Sequence, residues 1–129
     1  MATLHESIDF AGNDSLPRGW EEDVFRFCTF SGLDTEGRAL SGIVVECRVK
    51  ESDWYWGLFN VGSFVRVEFR GCVFRGCTFA GCVFAECRFV DCRFEKDNLD
   101  GDCTFRDCAW HGCEQAGCVG LPHEFARAA

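Results

Sequence analysis

The sequence has few residues that interrupt a hydrogen-bonded backbone, and it has no long apolar segment. Only two prolines are present, Pro17 and Pro122, as suits a chain whose amides keep donating to neighbouring strands. No stretch approaches the roughly 18 apolar residues of a membrane-spanning helix. The first ten residues lack the basic start and the apolar run of a secretory signal. We therefore expect a cytoplasmic protein that does not enter a membrane.

An excess of basic residues is also absent. The chain has 21 acidic and 13 basic residues, a formal net charge of −8, which disfavours direct binding to nucleic-acid phosphates. Residues 1–60 contain 11 of the acids and 5 of the bases, so the first half is the more acidic one. We therefore expect a protein partner and no nucleic acid, and a basic partner surface would complement the acidic half.

No constellation of catalytic residues is apparent. The sequence contains no glycine-rich phosphate loop and no H-E-x-x-H pair. A zinc site built from Cys108, His111, Cys113 and His123 is an alternative, but zinc sites favour C-x2-4-C pairs, whereas these cysteines are five residues apart. We predict a protein that is not an enzyme and that has no metal site and no cofactor.

What the sequence has in abundance is a five-residue period between Gly71 and Leu99. A cysteine recurs at every fifth position, and a phenylalanine follows each cysteine by two residues; the pairs are Cys72/Phe74, Cys77/Phe79, Cys82/Phe84, Cys87/Phe89 and Cys92/Phe94. This period is neither that of a helix nor that of an ordinary strand. Fixed short periods are typical of repeat architectures.

The C-x-F-x-x spacing resembles the pentapeptide-repeat family, whose pattern is a small residue, any residue, Phe or Leu, and two more residues. The resemblance implies an all-β fold, a right-handed quadrilateral β-helix in which each coil has four five-residue faces. The phenylalanines and the small residues would both point inward. The eleven cysteines are then interpreted as reduced packing residues, because free cysteine behaves as a small buried hydrophobe; disulfides between adjacent coils are the alternative.

The repeat divides the single predicted domain into four parts. We expect an irregular cap over residues 1–22, ragged first repeats and a loop over 23–41, a β-helix of about four coils over 42–120, and a tail over 121–129 that forms a short capping helix after Pro122. The pattern places Asp97 and Leu99 inward. It also places one extra residue in the segment DNLDGD, where a bulge would absorb it.

The segment SDWYWGLFN contains the candidate binding residues. The repeat directs Trp54 inward and leaves Tyr55 and Trp56 on the outside, and exposed Tyr and Trp are enriched at interface hot spots. The predicted partner-binding residues are Tyr55, Trp56, Glu46, Glu51 and Asp53. The alternative is that the N-terminal segment folds over the two aromatic side chains and covers them.

The family resemblance implies two kinds of protein binder. Some relatives bind DNA gyrase by presenting an acidic, DNA-like rod, and others are bacterial immunity proteins that neutralise secreted toxins, often nucleases. We predict a non-catalytic inhibitor or immunity protein. Gyrase protection and a structural module are the alternatives, and whether the chain forms a homodimer stays open.

Overall fold

The computed structural model describes residues 2–128, with side chains for residues 2–125. Within this range the chain forms short strands, two 3₁₀ turns (Asn13–Ser15 and Trp20–Glu22) and one helix, α1 (His123–Ala128). The strands are β1 (Leu4–Glu6), β2 (Asp9–Ala11), β3 (Val24–Arg26), β4 (Thr29–Ser31), β5 (Asp34–Glu36), β6 (Ile43–Val45), β7 (Arg48–Lys50), β8 (Asp53–Tyr55), β9 (Leu58–Asn60), β10 (Ser63–Val65), β11 (Glu68–Arg70), β12 (Val73–Arg75), β13 (Thr78–Ala80), β14 (Val83–Ala85), β15 (Arg88–Val90), β16 (Arg93–Glu95), β17 (Thr104–Arg106), β18 (Ala109–His111) and β19 (Glu114–Ala116).

The strands stack into four parallel sheets that form the four faces of a β-solenoid. Face A contains β1, β3, β6, β10, β14 and β18, and face B contains β2, β4, β7, β11, β15 and β19. Face C contains β5, β8, β12 and β16, and face D contains β9, β13 and β17. The solenoid has about five turns, one more than the predicted four.

The core is a set of stacked aromatic rings inside the four faces. In β10 and β14 the rings of Phe64 and Phe84 stack with centroids 5.0 Å apart, and those of Phe74 and Phe94 stack at 4.7 Å. Parallel pairing places residues of the same repeat position directly above one another, as in Phe64 opposite Phe84. The five-residue period therefore becomes columns of identical side chains, which confirms the predicted fold class.

The cysteines fill the corners between these columns, and all eleven are free. Their thiols donate to carbonyl oxygens of the preceding coil, for example from Cys77 Sγ to Trp54 O at 3.1 Å and from Cys82 Sγ to Phe59 O at 3.0 Å. Burial raises the pKa of Cys47 to about 11. Eight of the eleven cysteines are buried, as the interpretation of these residues as packing residues predicts.

The N-terminal part differs from the predicted irregular cap. Strand β1 pairs with β3 and β2 pairs with β4, so the first coil begins at Leu4. Residues after β2 leave the ladder, and Trp20 is buried with its ring 6.3 Å from that of Trp54. The prediction for residues 1–22 is wrong because polar side chains occupy inward positions of the first coil and hide the repeat.

The first loop and the C-terminal segment complete the fold. The sequence analysis expected ragged repeats and a loop over 23–41; the structure has β3, β4 and β5 in this region, and no strand lies between β5 and β6, over residues 37–42. Helix α1 caps the last coil, because Phe125 is buried with its ring 5.1 Å from that of Trp110 and 5.9 Å from that of Phe89. Residue 129 of the predicted tail lies outside the described residues. No helix among the described residues is long and apolar enough to cross a membrane.

The segment between β16 and β17 is the largest departure from the repeat. Phe79 of β13 pairs with Phe105, so the chain advances eleven residues from Phe94 to the next inward aromatic side chain instead of five. Residues 97–102, which we call the insertion, are the six additional residues. Leu99 is 80% exposed, and the predicted inward placement of Asp97 and Leu99 and the one-residue bulge are wrong. A strand could not form there because Thr78 of face D already pairs with Thr104.

Candidate functional site

The five predicted binding residues do not form one patch. Asp53 and Tyr55 lie on the outside of β8 on face C, and Glu51 and Trp56 occupy the corners on either side of this strand. Glu46 lies at the corner between β6 and β7, between faces A and B, where its carboxylate binds Arg66 at 3.0 Å. The structure thus brings four of the residues together around face C and separates Glu46 from them.

The insertion, rather than the N-terminal segment, contacts the two exposed aromatic side chains. The indole N–H of Trp56 donates to Asp97 Oδ2 at 2.7 Å, and the backbone N–H of Asn98 donates to the Tyr55 hydroxyl at 3.1 Å. Trp56 keeps 42% of its surface exposed. The sequence analysis offered the alternative that the N-terminal segment covers these rings. In the structure the insertion contacts them instead, through hydrogen bonds to their polar atoms.

Asp97 is the centre of the insertion's own hydrogen bonds. Its Oδ1 accepts from the backbone N–H groups of Leu99 and Gly101, both at 2.8 Å. The bonds from Gly101 and Trp56 lower the pKa of Asp97. A Cβ atom at Gly76 would lie 2.7 Å from Asp97 Oδ2, so the insertion approaches the solenoid closely only because residue 76 is glycine.

Arg75 joins the insertion to face C. Its Nη2 donates to Asn98 Oδ1 at 3.1 Å, and its guanidinium lies 5.4 Å from the centre of the Tyr55 ring. Its Nε is buried and has no hydrogen-bond partner among the described residues. The insertion is thus fixed to β8 and β12 by side chains of both strands.

A groove with a volume of about 530 Å³ runs along face C beside the insertion. Its lining includes Asp34 and Glu36 of β5, Asp53 and Tyr55 of β8, Arg75 of β12 and Asn98 of the insertion. Outward side chains of neighbouring strands therefore meet the insertion at a shared depression, which is the candidate binding site.

Three of the four carboxylates that line the groove have no ion-pair partner. Glu95 binds Arg93, but Asp34, Glu36 and Asp53 make no ion pair among the described residues. The lining thus contains four carboxylates and one guanidinium, that of Arg75, and this excess of negative charge attracts a cationic ligand.

Sequence reasoning missed two of these carboxylates. Asp34 and Glu36 lie on either side of Thr35, which occupies the inward centre of β5 and is buried. Counting one quintet onward from Phe30 reaches Thr35 and would have placed both acids outside. The prediction of ragged repeats and a loop over residues 23–41 gave Thr35 no inward position.

The structure does not bring the histidines and cysteines together for chemistry. Among residues 2–125 no group of three or more His, Cys, Asp or Glu side chains is placed to hold a metal ion. In the pair of Cys82 and Cys108, the interaction between the two neighbouring thiols, together with burial, raises the pKa of Cys82, and the same interaction lowers the pKa of Cys108 to about 7. His111 points outward from β18.

Comparison with known proteins agrees with this architecture. Residues 64–113 match a family model described as pentapeptide repeats, with nine copies. The predicted pentapeptide repeats are thus confirmed over residues 64–113. A search of curated proteins found no match to it.

Two solved structures are similar to this chain, and both are of trypsin-treated variants of QnrB1, a plasmid-mediated fluoroquinolone resistance protein. The arginine-to-glutamate variant is 14% identical over 90% of this chain and 73% of that chain, with a TM-score of 0.29. The methionine-to-arginine variant is 12% identical over 92% and 74%, with a TM-score of 0.25. At these values we draw nothing about function from the likeness.

Proposed function

We propose that this protein is a non-catalytic protein-binding β-helix of the bacterial cytoplasm, an inhibitor or immunity protein that neutralises a secreted toxin by direct binding. The observation that carries this proposal is the groove of face C, where Asp34, Glu36 and Asp53 lack ion-pair partners among the described residues and lie beside Tyr55. Acidic and aromatic side chains on a rigid support are suited to binding another protein.

A nuclease toxin is the partner class that suits this charge best. Proteins that act on nucleic acids carry basic surfaces that bind phosphates. An acidic inhibitor that covers such a surface gains fast capture and rejects acidic partners. Asp53 and Tyr55 would contact the toxin directly, whereas Trp56 would support the insertion that borders the groove.

The solenoid supports this role because it is ordered before binding. Stacked rings such as Phe74 on Phe94 and the hydrogen bonds between coils hold β8 and β12 in place. A surface that is already ordered loses little conformational entropy on association. The protein would therefore bind its partner without a folding step.

A complete DNA mimic, the basis of the gyrase alternative, is less consistent with the charge distribution. Face B carries basic side chains on its outward positions: Arg48, Lys50, Arg70 and Arg88. A DNA-like rod requires negative charge along its length. Gyrase protection and a structural module therefore stay as alternative outcomes of the experiment below.

The test is affinity capture of partners from a lysate of the source organism, followed by mass spectrometry. The wild type is compared with the charge-neutralised variant D34N/E36Q/D53N and with the control D9N/E86Q/E114Q, which changes the net charge equally on other faces. Recovery of a toxin by wild type and control but not by the groove variant supports the proposal. Recovery of gyrase favours the alternative, and self-association alone favours a structural module.

A further inference from the structure

We infer that the groove of face C binds an extended polypeptide segment bearing lysine or arginine, and that the insertion is its fixed wall. The inference rests on the proposed protein-binding function and specifies the chemistry of the partner's contacting segment. It combines a depression, unmet charges, unmet donors and an added structural element.

The insertion is not required by the fold. Without residues 97–102, Lys96 would be followed by Cys103, and Phe94 and Phe105 would be five residues apart, as in the regular repeats. Strand β17 already pairs with β13 in register. The six residues therefore interrupt an otherwise continuous repeat and contribute no inward aromatic side chain.

The insertion is nevertheless built as an ordered element. Trp56, Tyr55 and Arg75 each make a hydrogen bond to it, at distances of 2.7 to 3.1 Å. Its backbone closes on itself through Asp97 N–H to Gly101 O at 2.9 Å. A wall fixed in this way adds contacts to a bound segment without first having to become ordered.

The groove contains unmet acceptors for cationic side chains. Asp34 and Asp53 lie at the same repeat position of paired strands, directly opposite each other, and Glu36 lies at the other end of β5. Paired strands are about 4.8 Å apart, so the two aspartates face the ligand as neighbours. Cationic side chains of a bound segment would compensate these like charges.

The groove also includes a side chain with donors to spare. Arg75 lines the groove, and among the described residues its guanidinium donates to one partner, from Nη2 to Asn98 Oδ1. The backbone carbonyls of a bound segment would supply acceptors for Arg75, and its lysine or arginine would supply the cation for the carboxylates. A polypeptide therefore satisfies both needs, whereas a simple cation meets one.

The size of the groove fits an extended segment. It crosses β5, β8 and β12 and reaches Glu95 of β16, so it spans three strand spacings, or about 14 Å. An extended chain covers that distance with about four residues.

The experiment measures fluorescence anisotropy with a labelled peptide of alternating lysine and serine, and with a peptide of alternating glutamate and serine as the ligand control. Spermidine serves as a competitor that carries charge without carbonyls. The protein variants are D34N/E36Q/D53N, its charge-matched control D9N/E86Q/E114Q, and a deletion of residues 97–102 that keeps the repeat in register.

We expect wild type to bind the lysine peptide and not the glutamate peptide. The groove variant should bind about tenfold more weakly, since three weak charge contacts of this kind together are worth about 1.4 kcal/mol. The deletion variant should also bind more weakly, and the control variant should bind within about twofold of wild type.

Three results would overturn the inference. Equal weakening in the groove and control variants would show that only net charge matters, and unchanged binding in the deletion variant would remove the insertion from the site. Full competition by spermidine at equal charge would show that the peptide backbone is not recognised. If a partner is still captured from lysate by the groove variant, the protein-binding function stands and the inference about this groove fails.

Discussion

Similar residues are buried in the regular coils and exposed in the insertion. Phe74, at the centre of β12, is 1% exposed, whereas Leu99, which continues the same five-residue spacing in the sequence, is 80% exposed. Asp23 occupies an inward position and is buried, whereas Asp97 lies on the outside of the solenoid, where it accepts hydrogen bonds. Repeat position thus determines burial only where the chain pairs with the coils beside it.

The largest expected loss of stability comes from substitution of Phe74, and the matched substitution of Leu99 should have almost no effect. Phe74→Ala should lower the free energy of unfolding by about 3–5 kcal/mol, because it removes a ring packed against Trp54 and Phe94 and leaves a cavity. Leu99→Ala should change it by less than about 0.5 kcal/mol, since the side chain is exposed. Urea denaturation of both variants checks this, and equal losses would contradict the comparison.

Asp23 should stabilise the protein through its hydrogen bonds in the first coil. Asp23 Oδ1 accepts from the Thr3 N–H at 3.0 Å, and its Oδ2 lies 2.8 Å from His5 Nε2. Burial alone would raise the pKa of Asp23, but the hydrogen bonds from His5 and Thr3 outweigh it and lower the pKa below 3.8. Asp23→Asn should cost about 1.5–3 kcal/mol at neutral pH, the range for hydrogen bonds to a charged group.

The pH dependence follows from the sign of that shift. The pKa of Asp23 is lower in the folded state than in the unfolded state, where it is about 3.9. The stability that ionised Asp23 contributes is therefore complete above the unfolded pKa and is lost as the pH falls through the folded pKa. The difference in stability between wild type and Asp23→Asn should therefore shrink on acidification below about pH 4. A difference that stays constant down to pH 2 would show that the lowered pKa of Asp23 is not what stabilises the first coil.

A smaller effect should isolate the contact between solenoid and insertion. Gly76 and Gly81 both turn corners with positive φ, of 58° and 65°, but only at Gly76 would a Cβ atom meet Asp97. Gly81→Ala should cost about 1–2 kcal/mol through backbone strain alone, and Gly76→Ala should cost more. In the protein that lacks residues 97–102 the difference between the two substitutions should become smaller, because only the approach to Trp56 Cδ1 at 3.0 Å then remains at residue 76. A double-mutant cycle by denaturation measures this change.

Deletion of the insertion should itself change stability only slightly. Removing residues 97–102 loses the bond from Trp56 to Asp97 but shortens a loop and restores the repeat spacing. We expect the free energy of unfolding to stay within about 1 kcal/mol of wild type. A loss of several kcal/mol would show that the insertion supports the fold and would weaken its assignment as a binding element.

Much of the fold was predictable because the period fixes it. The Cys72 and Phe74 columns followed from counting in fives, and the short capping helix followed from Pro122. The first coil was missed since His5 and Asp23 occupy inward positions, and only their mutual contact, across 18 residues of sequence, makes that arrangement acceptable. No local pattern reports such a pair.

The candidate site was predictable in part. Asp53, Tyr55 and Trp56 were singled out by residue type and repeat position, and the structure places them beside the groove. The hydrogen-bond partners of these two side chains could not be predicted from sequence. The partner of Tyr55 is 43 residues away and that of Trp56 is 41 residues away. Glu46 was included through proximity in sequence, but the corner turns it to another edge.

The spacing around the insertion makes this position suitable for grafting. Lys96 and Cys103 mark two ends whose placement is set by β16 and β17, so segments of different length can be exchanged between them while the downstream coils keep their phase. Substitutions on the strands change one side chain at a time, whereas an exchange here replaces a whole contact element. A lineage of such proteins can therefore acquire new partners at this junction while its scaffold stays the same.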